Sequence, residues 1–511
     1  MRNIQGIAAG AAIVTLSLAG CSAGEPVDVG ASPSAGAPSG ETLVAAIGGE
    51  PDQLDPHKTS SYFSFQVLEN VFDTLVEPDE NLEMQPALAE SWELSEDQLT
   101  WTFSLREGVT FHDGSEFTAD DVIFSFNRII DEELANAWKF GTVESVTAVD
   151  DATVEIRVTQ PSPNLLSSLG GFKGMAIVEE ENAESGEIST HPVGTGPFSF
   201  EDYVSGDSIS LTANEDYWDG APEVAGVEFR FISESSTAIS ALRGGDIHWT
   251  DVIDPQQLGG LEGDDSLVVG QTPSSDYWYL ALNQNREPWN DVRVRQAIAY
   301  AIDRESIIQA VSYGTAEPNQ LAIPEASFWY APHEGYETDP DRAAQLLEEA
   351  GVSELELDML ATSDYPETVT AAQIIADNLA PLGITVNIRQ PDFGTWLDEQ
   401  NSGNFDMLMM GWLGNIDPDD FYYSQHHSEG GSNAQGYSNP EVDQLLDDAR
   451  VETDPEARKE LYAQAATIIA DEASYIYLYN PAVLQVWSAD LEGYEARGDR
   501  AIRFRDVSLA G

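Results

Sequence analysis

The stretch from Phe405 to Tyr423, FDMLMMGWLGNIDPDDFYY, predicts how this chain is organised. Its apolar run Met407–Met410 contains no breaker, which is typical of a strand covered on both faces. Gly411 and Trp412 follow, where we expect the chain to leave the sheet, and a polar turn around Asp417 comes next. Ligands of α/β proteins bind beyond the carboxyl ends of strands, so the stretch predicts a ligand-facing loop with one large aromatic side chain. The alternative is a core strand with a packed tryptophan.

Strands and helices alternate on both sides of this stretch. Residues Tyr277–Asn283 predict a strand, after which Asn290-Asp291 caps a helix with apolar residues at helical spacing, and Asp303 starts a second helix that ends at Gly314. Upstream, residues 92–105 alternate as a hairpin, and Thr118 caps a helix with an acidic first turn. Further helices are predicted over Thr370–Leu382, Phe393–Gln400 and Pro455–Glu472, and a strand over Tyr475–Tyr479. This alternation predicts an α/β fold with mixed sheets.

The charge balance of the chain excludes two classes of partner. The 511 residues include 22 basic and 90 acidic side chains, a formal net charge of −68. Nucleic acid and anionic membrane surfaces would be repelled by this charge. Since the acids are spread along the whole chain, we interpret them as a solvated surface adapted to high salt, where self-repulsion is screened. The alternative, a cation-binding surface, would need local clusters.

The first forty residues predict export and anchoring. Arg2 precedes a short apolar run, Ile7–Ala19, which is too short to span a bilayer and is typical of a secretory signal. The run ends in Leu18-Ala19-Gly20-Cys21, which resembles the bacterial lipoprotein box, in which Cys21 is lipidated; the alternative is a chance buried cysteine. We therefore predict a lipoprotein signal peptide over residues 1–20. Residues 21–40, rich in Ala, Gly, Ser and Pro, predict a flexible tether.

Five motifs in order resemble family 5 of the bacterial extracellular solute-binding proteins, the peptide/nickel type that supplies ABC importers. The resemblance runs from about Thr42 to Arg505. The motifs are Leu54-Asp55-Pro56-His57, then WTFSLREGVTFHDGSEFTADDVIFSF, then VGTGPFSF with NEDYW, then PWNDVRVRQAIAYAIDRESI, and last the Gly-Trp loop with NPEVD. Each is modest alone, but their order over most of the chain makes the resemblance specific.

The resemblance implies a two-lobed, type II periplasmic-binding-protein-like fold with a two-segment hinge. We expect lobe 1 over residues 41–280 plus 481–511, with an inserted subdomain, and lobe 2 over residues 281–480. The crossings would lie near Tyr277–Asn283 and Tyr479–Pro481. A small polar or peptide-like solute would be enclosed between the lobes and delivered to ABC permease and ATPase subunits. The resemblance further implies a monomer without a cofactor, outside the cytoplasm and attached to the membrane by its lipid alone.

The resemblance also implies a set of ligand-binding residues. In peptide-binding members two backbone segments line the cleft, here Ser60, Ser61 and Tyr62 and the loop Gly411, Trp412 and Leu413, and a peptide pairs with them as an added strand. The remaining candidates are Trp278, Asn415 and Asp417.

Three departures bear on the ligand. Peptide binders carry an acid where this chain has Asn415, longer-peptide members carry an arginine where it has Met409, and no arginine lies in Ala361–Ala372. Free peptide termini in a dry cleft need charged partners. An oligosaccharide, a modified peptide or a nickel chelate therefore remain alternatives to a simple peptide, as does a receptor lipoprotein without transport.

The sequence gives no support to an enzyme, because the usual catalytic motifs are absent, and little to a metal site. The sequence has no Gly-x-Ser-x-Gly elbow, no His-Glu-x-x-His and no phosphate loop. His426 and His427 are adjacent, and we interpret them as exposed loop residues rather than metal ligands, since neighbouring histidines rarely bind one ion together. The aromatics Tyr277, Trp278, Tyr422 and Tyr423 either line the cleft or pack in the core.

Overall fold

The computed structural model describes residues 40–171, 173–412 and 416–510. Its strands, in chain order, are β1 Thr42–Ile47, β2 Val76–Pro78, β3 Met84–Pro86, β4 Ala89–Leu94, β5 Thr100–Leu105, β6 Val143–Asp150, β7 Thr153–Val158, β8 Phe198–Val204, β9 Ser208–Ala213, β10 Gly226–Phe231, β11 Trp249–Thr250, β12 Leu267–Pro273, β13 Tyr277–Leu282, β14 Glu317–Pro318, β15 Leu355–Leu360, β16 Ile384–Arg389, β17 Met407–Trp412, β18 Tyr475–Asn480, β19 Ala482–Ser488, β20 Leu491–Glu492 and β21 Ser508–Leu509.

The α-helices are distributed between these strands. They are α1 Tyr62–Leu68, α2 Ala119–Asp131, α3 Leu165–Gly170, α4 Glu180–Ser185, α5 Ser235–Gly244, α6 Val292–Ala301, α7 Arg304–Ser312, α8 Pro340–Ala350, α9 Pro366–Leu379, α10 Phe393–Asn401, α11 Ser424–His426, α12 Pro440–Val451 and α13 Pro455–Asp471. Several begin at predicted caps: Thr118 forms a capping box, and Asp291 and Asp303 each accept a backbone hydrogen bond in the first turn of their helix. None of the helices in the described ranges combines the length and apolarity that crossing a bilayer requires.

Two mixed sheets organise the fold. The first has seven strands in the order β12-β19-β11-β1-β10-β9-β8, and the second has six in the order β14-β18-β13-β17-β15-β16. In the first, β1 runs parallel to β10, whereas β10 and β9 are antiparallel. In the second, β15 runs parallel to β16 and β17, whereas β13 is antiparallel to β17. The predicted α/β fold with mixed sheets is therefore present.

A smaller antiparallel sheet is inserted into the sequence between strands of the first sheet. It has the order β4-β5-β7-β6 and lies, in sequence, after β1 and before β8. The predicted hairpin of residues 92–105 is its β4–β5 pair. Its core is separate from that of the first sheet and contains Phe103, Phe126 and Ile156, none of which is exposed.

The chain passes between the two large sheets at two places. Residues 274–276 join β12 of the first sheet to β13 of the second, and Pro481 joins β18 of the second to β19 of the first. Ser274 donates a hydrogen bond from its hydroxyl to the Pro481 carbonyl (2.6 Å), so the two connections touch. Tyr277 already belongs to the second sheet, and so the predicted boundary at residue 280 falls inside a strand.

Two predicted element bounds were wrong. The strand of the opening stretch does not end at Met410 but continues through Gly411 and Trp412. The helix predicted from Thr370 begins four residues earlier, at Pro366. Proline is favoured in the first helical turn because its missing N–H has no partner there in any case, so this start was readable from the sequence.

Candidate functional site

The end of β17 and the start of β13 form the base of the candidate site. Gly411 pairs across the sheet with Trp278, and Trp412 pairs with Tyr277. The indole of Trp278 lies so close over Gly411 that a Cβ at residue 411 would be only 3.0 Å from it. The glycine is therefore needed for this tryptophan to lie flat across the strand, which also explains why the sheet continues to Trp412.

A cavity of about 250 Å³ opens beside these strand ends. Its wall contains Trp278, Gly411 and Trp412, three of the predicted ligand-binding residues, which the structure brings together. Tyr279 and Met410 come from the same two strands, and the other wall residues come from three further places in the sequence: Tyr365 and Glu367, then Phe393, Trp396, Leu397 and Gln400, and last Arg500. The wall is mainly aromatic with two charged side chains, a composition typical of a small-molecule site.

Arg500 enters this cavity from the C-terminal segment, beyond the first sheet. The segment is tied to α1, because the Asn70 side chain donates to the Ile502 carbonyl (2.9 Å) and accepts from the Phe504 N–H (3.1 Å). The Arg500 guanidinium forms an ion pair with Asp276 (2.6 Å), whose carboxylate is fully buried. Asp276, which lies in the connection between the two large sheets, therefore holds the Arg500 side chain in place at the cavity.

The predicted segment Ser60–Tyr62 lies next to Arg500. The Tyr62 hydroxyl donates to the Arg500 carbonyl (3.4 Å), and Ser61 is the residue before α1. Neither serine belongs to the wall of the 250 Å³ cavity, and nor does Tyr62. The segment therefore borders the site through the main chain of Arg500.

The Asp-Pro-His turn in front of this segment is a buried clamp. Arg128 on α2 donates two hydrogen bonds to the Asp55 carboxylate (2.6 and 3.1 Å) and a third to His57 Nδ1 (3.1 Å). His57 Nε2 then donates to the Ala176 carbonyl (2.8 Å). Burial lowers the pKa of His57 to about 4, so the ring stays neutral and can accept from the guanidinium. The clamp fixes the chain immediately before Ser60.

Asp417 does not belong to the wall of this cavity. It is 4% exposed, and both of its carboxylate oxygens accept from Arg458 on α13 (2.6 and 2.7 Å). The pair holds the turn that follows the Gly-Trp loop. Leu413 and Asn415, two further predicted ligand-binding residues, lie outside the described residues, as does the predicted lipidation site Cys21.

The two adjacent histidines are buried, not exposed as predicted. Both ring nitrogens of His426 have partners, Ser474 Oγ and Tyr477 OH at 2.9 Å each, and burial lowers its pKa to about 3. His427 stacks on Tyr423 with ring centroids 4.3 Å apart. Within residues 40–171, 173–412 and 416–510, no three His, Cys, Asp or Glu side chains are grouped as metal ligands.

The three tyrosines whose role the sequence left open are not part of the cavity wall. Tyr277 is buried and donates to Gln425 Oε1 (2.7 Å), and Tyr422 is also buried. Tyr423 lies under the guanidinium of Arg450, 3.9 Å from the ring centroid. These rings pack in the second sheet's core or against neighbouring helices.

Sequence reasoning missed most of the cavity wall. Glu367 and Tyr365 flank Pro366, so recognising that proline as a helix start would have placed Glu367 in the first turn of α9. Trp396 is on a helix that was predicted, yet nothing local indicates which face of that helix meets the site. Arg500 has no local signal at all, because its position depends on contacts with residues more than 200 positions earlier.

The comparisons with known proteins agree on one family. The family model for the bacterial extracellular solute-binding proteins, family 5 middle, matches residues 83–434. The chain is 29% identical over 507 residues to the dipeptide-binding protein of Escherichia coli, covering 92% of this chain and 95% of that protein. It is 30% identical over 479 residues to heme-binding protein A of Haemophilus influenzae, covering 87% of each.

A solved structure extends the likeness to the fold. The ABC transporter-associated periplasmic binding protein DppA of Helicobacter pylori, in complex with the peptide STSA, matches with a TM-score of 0.82 and 30% sequence identity. The match covers 92% of this chain and 98% of that one.

Proposed function

Because the chain belongs to family 5 of the bacterial extracellular solute-binding proteins, we propose that it captures a peptide-like solute in the cavity at the ends of β13 and β17. Members of this family are the solute-binding receptors of ABC importers and are not enzymes. The fold is that of the type II periplasmic binding proteins, as predicted. The observation that carries the proposal is the convergence of Trp278, Gly411 and Trp412 from one sheet with Arg500 from beyond the other.

Two lobes would close over the solute. We assign the first sheet, the inserted four-stranded sheet and residues 481–511 to lobe 1, and the six-stranded sheet to lobe 2. Membership of the strands in the sheets favours a boundary at residues 274–276 over the one expected at residue 280. The hinge is then residues 274–276 together with Pro481, and Arg500 is the lobe 1 side chain in the wall of the cavity that closure would enclose.

The proposed site consists of a base and an opposing edge. Trp278, Gly411 and Trp412 form the base, and we retain Leu413 and Asn415, which follow Trp412 in sequence, as further proposed ligand-binding residues. Ser60, Ser61 and Tyr62 form the edge on the lobe 1 side, held by the Asp55–Arg128 pair. For Asp417 we propose an orienting role, because its carboxylate is paired with Arg458 and stabilises the turn after the loop.

The peptide-like ligand class rests on the relatives. The Escherichia coli relative is named for dipeptides and the Helicobacter pylori structure contains a four-residue peptide. The Haemophilus influenzae relative is named for heme, so ligands differ widely within the family. A peptide-like solute suits the mainly aromatic wall of this chain, which offers stacking surfaces with few charges.

The family works outside the cytoplasm, and the attachment of this member is part of the proposal. We propose that Cys21 carries lipid after removal of residues 1–20, and that residues 21–40 let a monomer reach its permease from the membrane surface. The acidic surface would be an adaptation to high salt, supported by the excess of 90 acidic over 22 basic side chains.

A substitution at Trp412 tests the site and closure together. In Trp412→Ala we expect the affinity for a bound peptide to fall by at least ~1 kcal/mol, since an aromatic contact of that size is lost. Calorimetry with a library of di- to pentapeptides measures the affinity, and small-angle scattering measures the decrease in radius of gyration of the wild type on binding. Trp138→Ala is the matched control, because Trp138 is exposed and remote from the cavity wall. Unchanged affinity in Trp412→Ala, or a wild type whose scattering no peptide alters, would contradict the proposal.

A further inference from the structure

The cavity wall contains a carboxylate without an ion pair. Glu367 lies in the first turn of α9, directly after Pro366, and its side chain is part of the wall. Among the described residues, no lysine, arginine or histidine lies within ion-pair distance of it. Three buried acids in this chain are held differently: Asp55, Asp417 and Asp276 are each paired with an arginine at 2.6 Å.

The other charge in the wall is already balanced. Arg500 is paired with Asp276, and that carboxylate is fully buried beside it. The charge of Arg500 also acts on Glu367 and lowers the pKa of that carboxyl, but the effect of burial is larger and the pKa stays raised. The unbalanced charge of the cavity is therefore the negative charge of Glu367.

The remaining wall favours a positive charge as well. Aromatic side chains surround the space: Trp278, Tyr365, Phe393, Trp396 and Trp412. The ring of Phe393 meets Tyr365 edge to face at 5.6 Å and stacks on Trp396 at 5.8 Å, so these rings form one continuous wall. The faces of aromatic rings attract cations electrostatically, most strongly for tryptophan, and the attraction grows when water is excluded.

Burial also leaves Glu367 short of stabilisation. It raises the pKa of this carboxyl above its ordinary value, because nothing nearby fully replaces the lost water. A cationic group arriving in the cavity would supply the missing interaction and favour the ionised carboxylate.

We propose that the cavity receives a positively charged group of the ligand, an ammonium or a guanidinium, with Glu367 as its counter-ion and the aromatic rings as its walls. This inference rests on the proposed function and names the charge of its solute. The inference also bears on Asn415. Peptide-binding members carry at that position the acid that holds the ligand's ammonium, and this chain does not. A carboxylate is still available in this chain, but on a different element.

Peptide pairs that differ by one positive charge test the inference. The probes are alanine tripeptides with lysine or norleucine at each position in turn, and trialanine with a free or an acetylated N-terminus. Norleucine keeps the lysine chain but lacks its ammonium. In the wild type, at least one such loss of charge should weaken binding about tenfold, the scale of a charge-assisted contact in an aromatic cavity. In Glu367→Gln the same loss should weaken binding less than about threefold. Calorimetry measures both, at the same salt concentration.

The control is Asp377→Asn, which removes one negative charge from the exposed side of the same helix. It should keep the wild-type preference, which separates a local contact from the general attraction of an acidic protein for cations. If every loss of charge affects the wild type and Glu367→Gln equally, or affects neither, the inference is wrong.

A failure of the proposed function has a different signature. In that case no peptide of either charge binds the wild type. Native mass spectrometry of the protein purified under gentle conditions then decides the inference by itself, because a co-purified ligand that is neutral or anionic would overturn it and a cationic ligand would support it.

Discussion

Two Asp-Pro turns in this protein, at Asp55-Pro56 and Asp417-Pro418, are built alike. In each, the aspartate is almost fully buried and accepts two hydrogen bonds from the guanidinium of an arginine on a distant helix. In each, the turn adjoins a segment of the candidate site. Glu367 contrasts with both, since it shares the cavity wall with Arg500 but forms no ion pair with an arginine in the described part of the chain.

The difference separates two uses of the same chemistry. A buried carboxylate that is paired with an arginine fixes a loop, and the arginine neutralises its charge. A carboxylate left without a cation contributes little to the fold but remains available to a ligand. In a chain with 90 acidic residues, the lack of an ion pair and the position in the cavity wall together are the basis for proposing Glu367 as a binding residue.

The largest effect should come from breaking a paired aspartate. Asp417→Asn leaves the Arg458 guanidinium buried without its counter-charge, so we expect the free energy of unfolding to fall by about 3–5 kcal/mol. Urea denaturation of the ligand-free protein measures it. Asp398→Asn, which removes an exposed charge, is the control and should cost under about 0.5 kcal/mol. If the two variants lose the same amount, Asp417 does not act as a clamp. The double variant Asp417→Leu with Arg458→Met should be more stable than Asp417→Asn, because no buried charge remains.

The pH dependence of stability should have opposite signs for the two kinds of carboxyl. Burial raises the pKa of Glu69 and of Asp420 to about 7 each, and neither has an ion pair among the described residues. A carboxyl with a raised pKa in the folded chain stabilises the fold while protonated, and the stabilisation is lost as the pH rises through about 7. Lowering the pH from 8 to 5 should therefore raise the free energy of unfolding, by roughly 1–3 kcal/mol.

Asp55 should behave in the reverse way. Burial alone would raise its pKa, but the hydrogen bonds and charge of Arg128 outweigh burial and lower it. Its contribution is present at neutral pH and is lost only as the pH falls through that lowered value. The double variant Glu69→Gln with Asp420→Asn separates these groups from the acidic surface. If its stability rises between pH 8 and 5 as much as that of the wild type, the two buried carboxyls are not responsible.

The smallest effect should come from Glu367. Glu367→Gln removes a charge that burial disfavours and that no cation balances, so the free energy of unfolding should change by less than about 1 kcal/mol without ligand. Denaturation in parallel with Asp417→Asn makes the contrast direct. A loss comparable to that of Asp417→Asn would show that Glu367 is a structural residue and does not differ from the paired aspartates.

Much of the fold was predictable because its signals are local. The apolar run Met407–Met410 predicted β17, and the caps at Thr118, Asp291 and Asp303 predicted three helix starts. Such signals need only a few neighbouring residues. The bounds failed where a distant residue decided them: β17 continues to Trp412 because β13 pairs with it. The histidines at 426 and 427 were judged by their polar neighbours in sequence, whereas the partners of the buried His426 ring are Ser474 and Tyr477, about 50 positions later.

The sequence by itself determined the element types, the order of the strands and helices, the family and three of the cavity's aromatic and glycine residues. Only the tertiary structure decided which side chains share the cavity, and which acids form an ion pair with an arginine. The physical reason is the separation in sequence over which each kind of interaction acts. Periodicity, caps and turns act over a few residues, whereas tertiary contacts form between residues as far apart as Tyr62 and Arg500, whose hydrogen bond joins positions 438 residues apart.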